Sequence, residues 1–269
     1  MKNMISLPLF KRNLKLAVFP FLLILAVLSM YTTVIIYMYN PELAETLNTY
    51  QQTLPEMMAA VGMTGMASNL LEWMQIYLYG FIMLLFPLIF LLMIVQKLLM
   101  GMIDKGTLAN FLATPNSRGK MIRTQLFSML LWLFLLMGMI TVIGVISCEV
   151  MFPGELEIET YLALNLRTFL LQLAILAFVF LAACFCSENK YYYLIGAGVP
   201  VLCFLMQMIS NMGEKLEKLR YATIYSLLDA EEVIKQGSGL GWQGILLLGM
   251  SLCMILIGVK RFQRRDFFL

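Results

Sequence analysis

The sequence predicts an all-α integral membrane protein with six transmembrane helices, both termini cytoplasmic, in a single domain over residues 1–269. Three observations carry this expectation. Of the 269 residues, 61% are apolar and 13% charged, against about 45–50% and about 25% in an ordinary soluble domain. The apolar residues gather in six runs, each close to the ~20 residues that a helical span needs. The sign of the charges alternates from one connecting segment to the next.

The runs cover 16–39, 73–95, 124–147, 161–185, 191–211 and 242–259. The first follows Lys11, Arg12 and Lys15 as a signal peptide would, but its length and the missing small-x-small cleavage site favour a retained anchor. In the fifth, Gly196-Ala197-Gly198-Val199-Pro200 marks a helix break or a close crossing, tolerated where neighbours satisfy the freed backbone. In the sixth, Gly249 and Cys253 form a small-xxx-small pair suited to helix packing.

Charge sets the orientation. The N-terminal segment carries Lys2, Lys11, Arg12 and Lys15 without an acid, and the segment 40–72 carries Glu42, Glu45, Glu56 and Glu72 without a base. The segment 96–123 holds Lys97, Lys105, Arg118, Lys120 and Arg123 against Asp104, whereas 148–160 holds Glu149, Glu155, Glu157 and Glu159 alone. The tail is again basic, with Lys260, Arg261, Arg264 and Arg265. The positive-inside bias then places both termini in the cytoplasm. The segment 212–241 is mixed, and parity puts it outside. There Tyr221–Leu228 reads as a short amphipathic extracellular helix between spans five and six, and Gly237–Gly244 as a flexible re-entrant loop. Trp73, Tyr77, Tyr79, Tyr161 and Trp242 near the outer ends, and Tyr191, Tyr192 and Tyr193 near an inner end, read as aromatic belts.

The absence of histidine excludes Ser-His triads, His-bound zinc and haem, and imidazole switches. The five cysteines form no C-x-x-C pair and read as small buried residues, with no metal site. No series of carboxylates crosses the apolar runs, which argues against an ion-coupled transporter. Candidates for a substrate path are Thr32, Met139, Asn165, Arg167 and Gln172. Arg167 lies about two turns into the fourth run and either snorkels outward or lines a wet vestibule, since a charge at mid-bilayer costs about 2.5–3.5 kcal/mol. The 23 methionines adapt to varied apolar shapes and suit greasy or amphipathic cargo.

The segment 101–118 is the most informative. Gly101 and Gly106 have the spacing of a phosphate loop, but Thr107-Leu108 replaces the Lys-Ser/Thr that reaches phosphate and Mg²⁺, so ATP is not bound here. Gly106 breaks the preceding helix, Thr107 can cap a new one running to about Ala113, and Thr114-Pro115 ends it. Leu108, Phe111 and Leu112 share a face. Such a stub either docks into a partner's groove or serves as an interfacial connector.

Asp104-Lys105-Gly106-Thr107-Leu108, followed by Phe111-Leu112-Ala113-Thr114-Pro115-Asn116-Ser117-Arg118, resembles the acidic-x-Gly-Thr-Leu...Leu-Leu-Ala-Thr-Pro-Val-Ser-Arg signature of permease subunits of type-2 ATP-binding-cassette (ABC) exporters. It departs in Asp104 for Glu, Phe111 for an aliphatic residue and Asn116 for Val. Arg261–Phe267 resembles that family's Phe-x-x-Arg-Asp tail, and Leu7–Arg12 its interfacial elbow helix. The resemblance implies a half-transporter: a second permease copy or paralogue completes the path, and two copies of a cytosolic ABC ATPase bind ATP and Mg, with no cofactor in this chain. It also implies that Asp104, Lys105, Gly106, Thr107, Leu108, Phe111, Leu112, Thr114, Pro115 and Arg118 form the cytoplasmic coupling helix that the ATPase grips. The expectation is therefore a multi-pass permease of a bacterial plasma membrane, not an enzyme and not a nucleic-acid binder. It would export hydrophobic or amphipathic substrates, above all peptides of toxin or antimicrobial type. Drug or lipid export is the alternative, and a stand-alone channel or scaffold without an ATPase is the rival from another class.

Overall fold

Pro8 stands in the first turn of the first span, Leu7–Tyr37, where its missing N–H costs nothing. The computed structural model describes residues 5–60, 63, 66–104, 117–212 and 216–264, and the described residues form helices without a strand. Six helices are long and apolar enough to cross a membrane: Leu7–Tyr37, Ile82–Asp104, Arg118–Met151, Ile158–Phe185, Asn189–Ser210 and Gly241–Arg264.

The first helix runs unbroken through Pro20, so Leu7–Arg12 is its opening turns and not a separate elbow. Contacts with the third span hold it in line. The Ser6 N–H donates to Thr124 Oγ1 at 3.0 Å, and Asn13 Nδ2 donates to Gln125 Oε1 at 2.7 Å and Ser128 Oγ at 2.9 Å. Phe21 lies 4.7 Å from the Trp132 ring.

The second apolar run is two pieces. Asn69 caps a short helix, Leu70–Met74, which continues as a π-turn over Gln75–Tyr79. Phe81 then leaves the helical region at φ −138°, ψ −55°, and the span proper starts at Ile82, later than the hydropathy places it. The short helix is apolar because protein covers it: Trp73 is buried and its Nε1 donates to the Ile35 carbonyl at 2.9 Å. At the other end the span continues past Lys97, whose ammonium sits over the Phe19 ring at 5.6 Å, a contact that offsets its charge in an apolar setting.

Ser117 caps the third span by accepting the Lys120 N–H at 3.2 Å. The fifth span begins with a π-turn, Tyr192–Ala197, at the expected Gly-rich break. A side chain at Gly196 would stand 3.4 Å from the Ala182 Cβ, so the small residue permits the approach of the fourth span.

That fourth span is the hub. Its most apolar window is 72% buried, against 28% for the fifth and for the sixth. The sixth lies along it on Gly244, Ser251 and Gly258, spaced by sevens: Gly244 packs near Leu170, Ser251 is fully buried, and Gly258 packs on Phe180 and Cys184. The pair Gly249/Cys253 faces away, with open space beside Gly249 and an exposed Cys253. A seven-residue period keeps small residues on one seam between two long helices; a single four-residue step does not define which face that seam uses.

Cross-contacts define two ends of the bundle. Ser6 with Thr124, Asp104 with Asn189, and Gly119 with Gln263 gather at the end that carries both chain termini. At the opposite end Tyr39 packs on Trp73 and on Phe152. Helices Pro41–Thr53 and Pro55–Ala60 fill the first acidic connection, and Asn48 exchanges two hydrogen bonds with the Ala67 backbone.

The connection between spans five and six corrects an expectation. Tyr221–Leu228 is not an amphipathic α-helix. Two 3-10 turns, Glu217–Ala222 and Ile224–Leu227, meet at an extended Thr223 whose hydroxyl donates to Gln207 Oε1 at 2.7 Å. The α-helix follows at Ala230–Gln236, capped by Asp229 and closed by Gly237 in the left-handed region. The belts are corrected too. Trp242, Tyr191 and Tyr193 are exposed as belt residues would be, but Trp73, Tyr79, Tyr161 and Tyr192 are buried, because short helices and neighbouring spans cover them.

Candidate functional site

Polar groups in this apolar bundle concentrate at two places, one at each end. At the termini end they surround the roots of the segment 105–116. The proposed coupling residues Lys105, Gly106, Thr107, Leu108, Phe111, Leu112, Thr114 and Pro115 lie outside the described residues, while Asp104 and Arg118 flank the segment. Asp104 ends the second span, and its carboxylate accepts the Asn189 backbone N–H at 3.2 Å and the Asn189 side-chain amide at 2.6 Å. This ties the second span to the turn joining the fourth and fifth. Arg118 opens the third span. Two turns further on, Gln125 links three spans by accepting from Asn13 and donating to Met102 Sδ at 3.0 Å. Asn13, Thr124, Gln125 and Ser128 are all buried. Hydropathy reading misses them because they sit at the ends of apolar runs and pass for polar flanks; their signal is polar residues at helical spacing, 124, 125 and 128, beside a lone Asn13.

At the opposite end the centre is Arg167. It neither snorkels nor lines an open vestibule: it is 1% exposed. Its Nε donates to the Gly239 carbonyl at 2.7 Å, and one terminal nitrogen donates to Gln243 Oε1 at 3.0 Å and to the Leu227 carbonyl at 3.3 Å. Gln243 in turn donates to Glu232. Burying the guanidinium costs several kcal/mol, and charge-assisted hydrogen bonds worth about 1.5–3 kcal/mol each offset that cost. The segment expected to be a flexible loop is thereby clamped. Gly239 sits against the Ala163 backbone with no room for a Cβ, so glycine serves close approach there.

The other candidates for a substrate path separate. Asn165 donates to the Tyr161 carbonyl at 2.9 Å, and its side-chain oxygen faces the Tyr79 and Tyr161 hydroxyls. Gln172 donates to the Met83 and Leu84 carbonyls at 3.1 and 3.3 Å. Pro87 explains this contact: it lacks the N–H that would bond the carbonyl four residues earlier, and Gln172 supplies it. Thr32 is buried in the first span, and Met139 is 42% exposed on the outside of the bundle.

Two cavities flank the clamped ribbon 220–229. A polar one of about 150 Å³ is lined by Gln75, Asn211, Arg220, Tyr225 and Asp229 among others. An apolar groove of about 500 Å³ is lined by Phe178, Cys203, Ile224, Leu227, Trp242 and Met250 among others. Arg220 pairs with Asp229 at 3.1 Å, and both line the polar cavity. Burial pushes the Tyr225 phenol above its ordinary value. Among the described residues no group of three His, Cys, Asp or Glu could hold a metal ion.

Six apolar spans in an all-helical chain define a multi-pass membrane protein. No protein-family model matches the chain, and no curated protein matches it.

Proposed function

We propose that this chain is the membrane-spanning permease subunit of an ATP-driven ABC exporter in a bacterial plasma membrane, with its termini in the cytoplasm. In this reading hydrolysis belongs to two copies of a separate cytosolic ATPase. A second permease copy or paralogue completes the path, and the cargo is an apolar or amphipathic compound, foremost a peptide of toxin or antimicrobial type.

The observation that carries the proposal is the polar rooting of the segment 105–116. Asp104 is fastened to Asn189, Ser117 caps the next span, and Gln125 joins the first, second and third spans. A push on this segment is thereby shared among the first, second, third and fifth spans instead of bending one helix end. The basic character of the same end, with Lys11, Arg12, Lys120, Arg123 and Arg261, supports its placement in the cytoplasm. The Gly-Thr-Leu and Ala-Thr-Pro motifs of the segment supply the resemblance to exporter permeases.

The test is co-purification with the ATPase encoded beside this chain's gene. Leu108→Asp combined with Phe111→Asp is expected to abolish the complex and its stimulated hydrolysis while leaving the spans folded. Intact association and hydrolysis, or the absence of any such ATPase, overturns the reading.

A further inference from the structure

We infer that a groove between the second and fifth spans, at the end of the bundle that carries the chain termini, binds one anionic glycerophospholipid, with an acyl chain along its apolar part and the phosphate at Lys97. The inference goes beyond the exporter reading and does not rest on it.

The groove has a volume of about 310 Å³ and is lined by Ile89, Leu92, Met93, Gln96 and Lys97 of the second span and Tyr193 of the fifth. Positions 89, 92, 93, 96 and 97 share one helix face. Along that face the apolar residues come first and the polar pair last, over roughly 12 Å toward the termini end. A lipid has the same order of polarity along its length, whereas a soluble phosphate would leave the apolar part unused. Gln96 and Lys97 open a π-turn, Gln96–Met100, a wider turn that recurs at functional sites.

Two cross-links between the same two spans set the width of the groove. Tyr192 is buried, and its hydroxyl donates to the Leu92 carbonyl at 2.9 Å. Nearer the end of the spans, Asp104 holds Asn189. The Tyr193 ring packs edge-on against Tyr192 with centroids 5.3 Å apart and stays half exposed, as aromatic side chains at the depth of the lipid headgroups do. The site is therefore preformed.

Charge selects the headgroup. Lys97 lies seven residues inside the end of its span at Asp104, about 10 Å by helical rise. It is half-buried, and among the described residues no acid pairs with it. The Phe19 ring, 5.6 Å from its ammonium, attracts the cation but leaves donors free for a phosphate. Lys15 is exposed four residues before Phe19 on the same face of the first span, so a second cation stands one turn nearer the headgroups. The described acids of this end are Asp104, held by Asn189, and Glu188, which precedes the fifth span. Basic pockets between spans take anionic headgroups; a choline headgroup carries its own cation and gains less from Lys97.

The experiment places the full chain in phosphatidylcholine nanodiscs, without an ATPase, and uses electron paramagnetic resonance to compare the immobilised fractions of spin-labelled phosphatidylglycerol and spin-labelled phosphatidylcholine. The phosphatidylglycerol probe is expected to associate at least about fivefold more strongly, the worth of one basic side chain at a membrane surface. Lys97→Gln should remove most of that preference, and Lys97→Arg, which keeps the charge, should retain it. Lys260→Gln removes an exposed base of the same end that does not line the groove, and should change the preference by less than about twofold. Met93→Trp fills the apolar part and should weaken phosphatidylglycerol association by roughly threefold. Equal association of the two probes, an effect of Lys97→Gln no larger than that of Lys260→Gln, or an unaltered Met93→Trp variant overturns the inference and leaves a diffuse basic surface. Displacement of the lipid probe by millimolar glycerol phosphate overturns it too, by assigning Lys97 to a soluble phosphate. Because no ATPase is present, failure here leaves the exporter reading standing, and failure of ATPase docking leaves this site standing.

Discussion

The Asp104 carboxylate takes both N–H groups of Asn189, one from the backbone at 3.2 Å and one from the side chain at 2.6 Å. The two residues are 85 positions apart and stand where the second span ends and the fifth begins. The contact fastens the end of the second span to the start of the fifth.

Because Asp104→Ala removes both hydrogen bonds and Asn189→Ala only the side-chain one, which Asp104→Ala already removes, the two substitutions are expected to be non-additive. The double variant should be no less stable than the worse single variant, with an interaction energy of about 0.5–1.5 kcal/mol. A double-mutant cycle on thermal unfolding in detergent measures it, and full additivity would show that the contact carries no energy.

Arg167 is the larger clamp. Arg167→Met leaves the Gly239 and Leu227 carbonyls and Gln243 without their donor, and a loss of about 3 kcal/mol is expected. The damage should be local first. Hydrogen exchange in 217–240 should accelerate before exchange in the third and fourth spans changes, and uniform acceleration would contradict the clamp.

Glycines on the sixth span separate by face. Gly258→Leu drives a side chain into Phe180, whose ring would stand 3.0 Å from a Cβ, and should cost about 2 kcal/mol as overpacking. Gly249→Leu points into open space and should stay within about 0.5 kcal/mol. Melting temperatures of the two variants decide the matter; equal values would sink the seven-residue seam.

Alkali should unfold the connections opposite the termini. Tyr225 is raised above the ordinary value of 10.0 by burial, and Tyr39 is raised by burial and then by the nearby Glu155 and Glu72. A phenol whose folded value exceeds its unfolded one contributes stability that is complete below the unfolded value and is lost as pH climbs through the folded one. Stability should therefore fall above about pH 10, and Tyr225→Phe should flatten part of that fall. Denaturation midpoints across alkaline pH test it.

Much of the fold is legible in the sequence because transfer into hydrocarbon depends on composition over about 20 residues and needs no knowledge of neighbours. Hence the six spans and the alternation of charge between their ends are readable from one chain. The same scan misplaces the second span. Trp73–Tyr79 runs into the apolar stretch of the span without a break, yet it belongs to a short helix covered by protein, and hydropathy cannot distinguish burial by lipid from burial by Ile35 and its neighbours. Tyr161 and Tyr192 fail in the same way as belt residues.

What the sequence by itself determined is the number of crossings, their apolar lengths and the unequal charge of the two ends, all set by local composition against a bilayer. Only the tertiary structure decided the pairings between distant positions. Gln172 supplies the hydrogen bond that Pro87 withholds from the Met83 carbonyl, Gly258 rather than Gly249 faces the fourth span, and Arg167 is spent on the backbone carbonyls of Leu227 and Gly239, 60 and 72 residues away. Such choices turn on which donors meet which acceptors after the helices pack, and inside a membrane a polar group without water must find its partner in the folded chain.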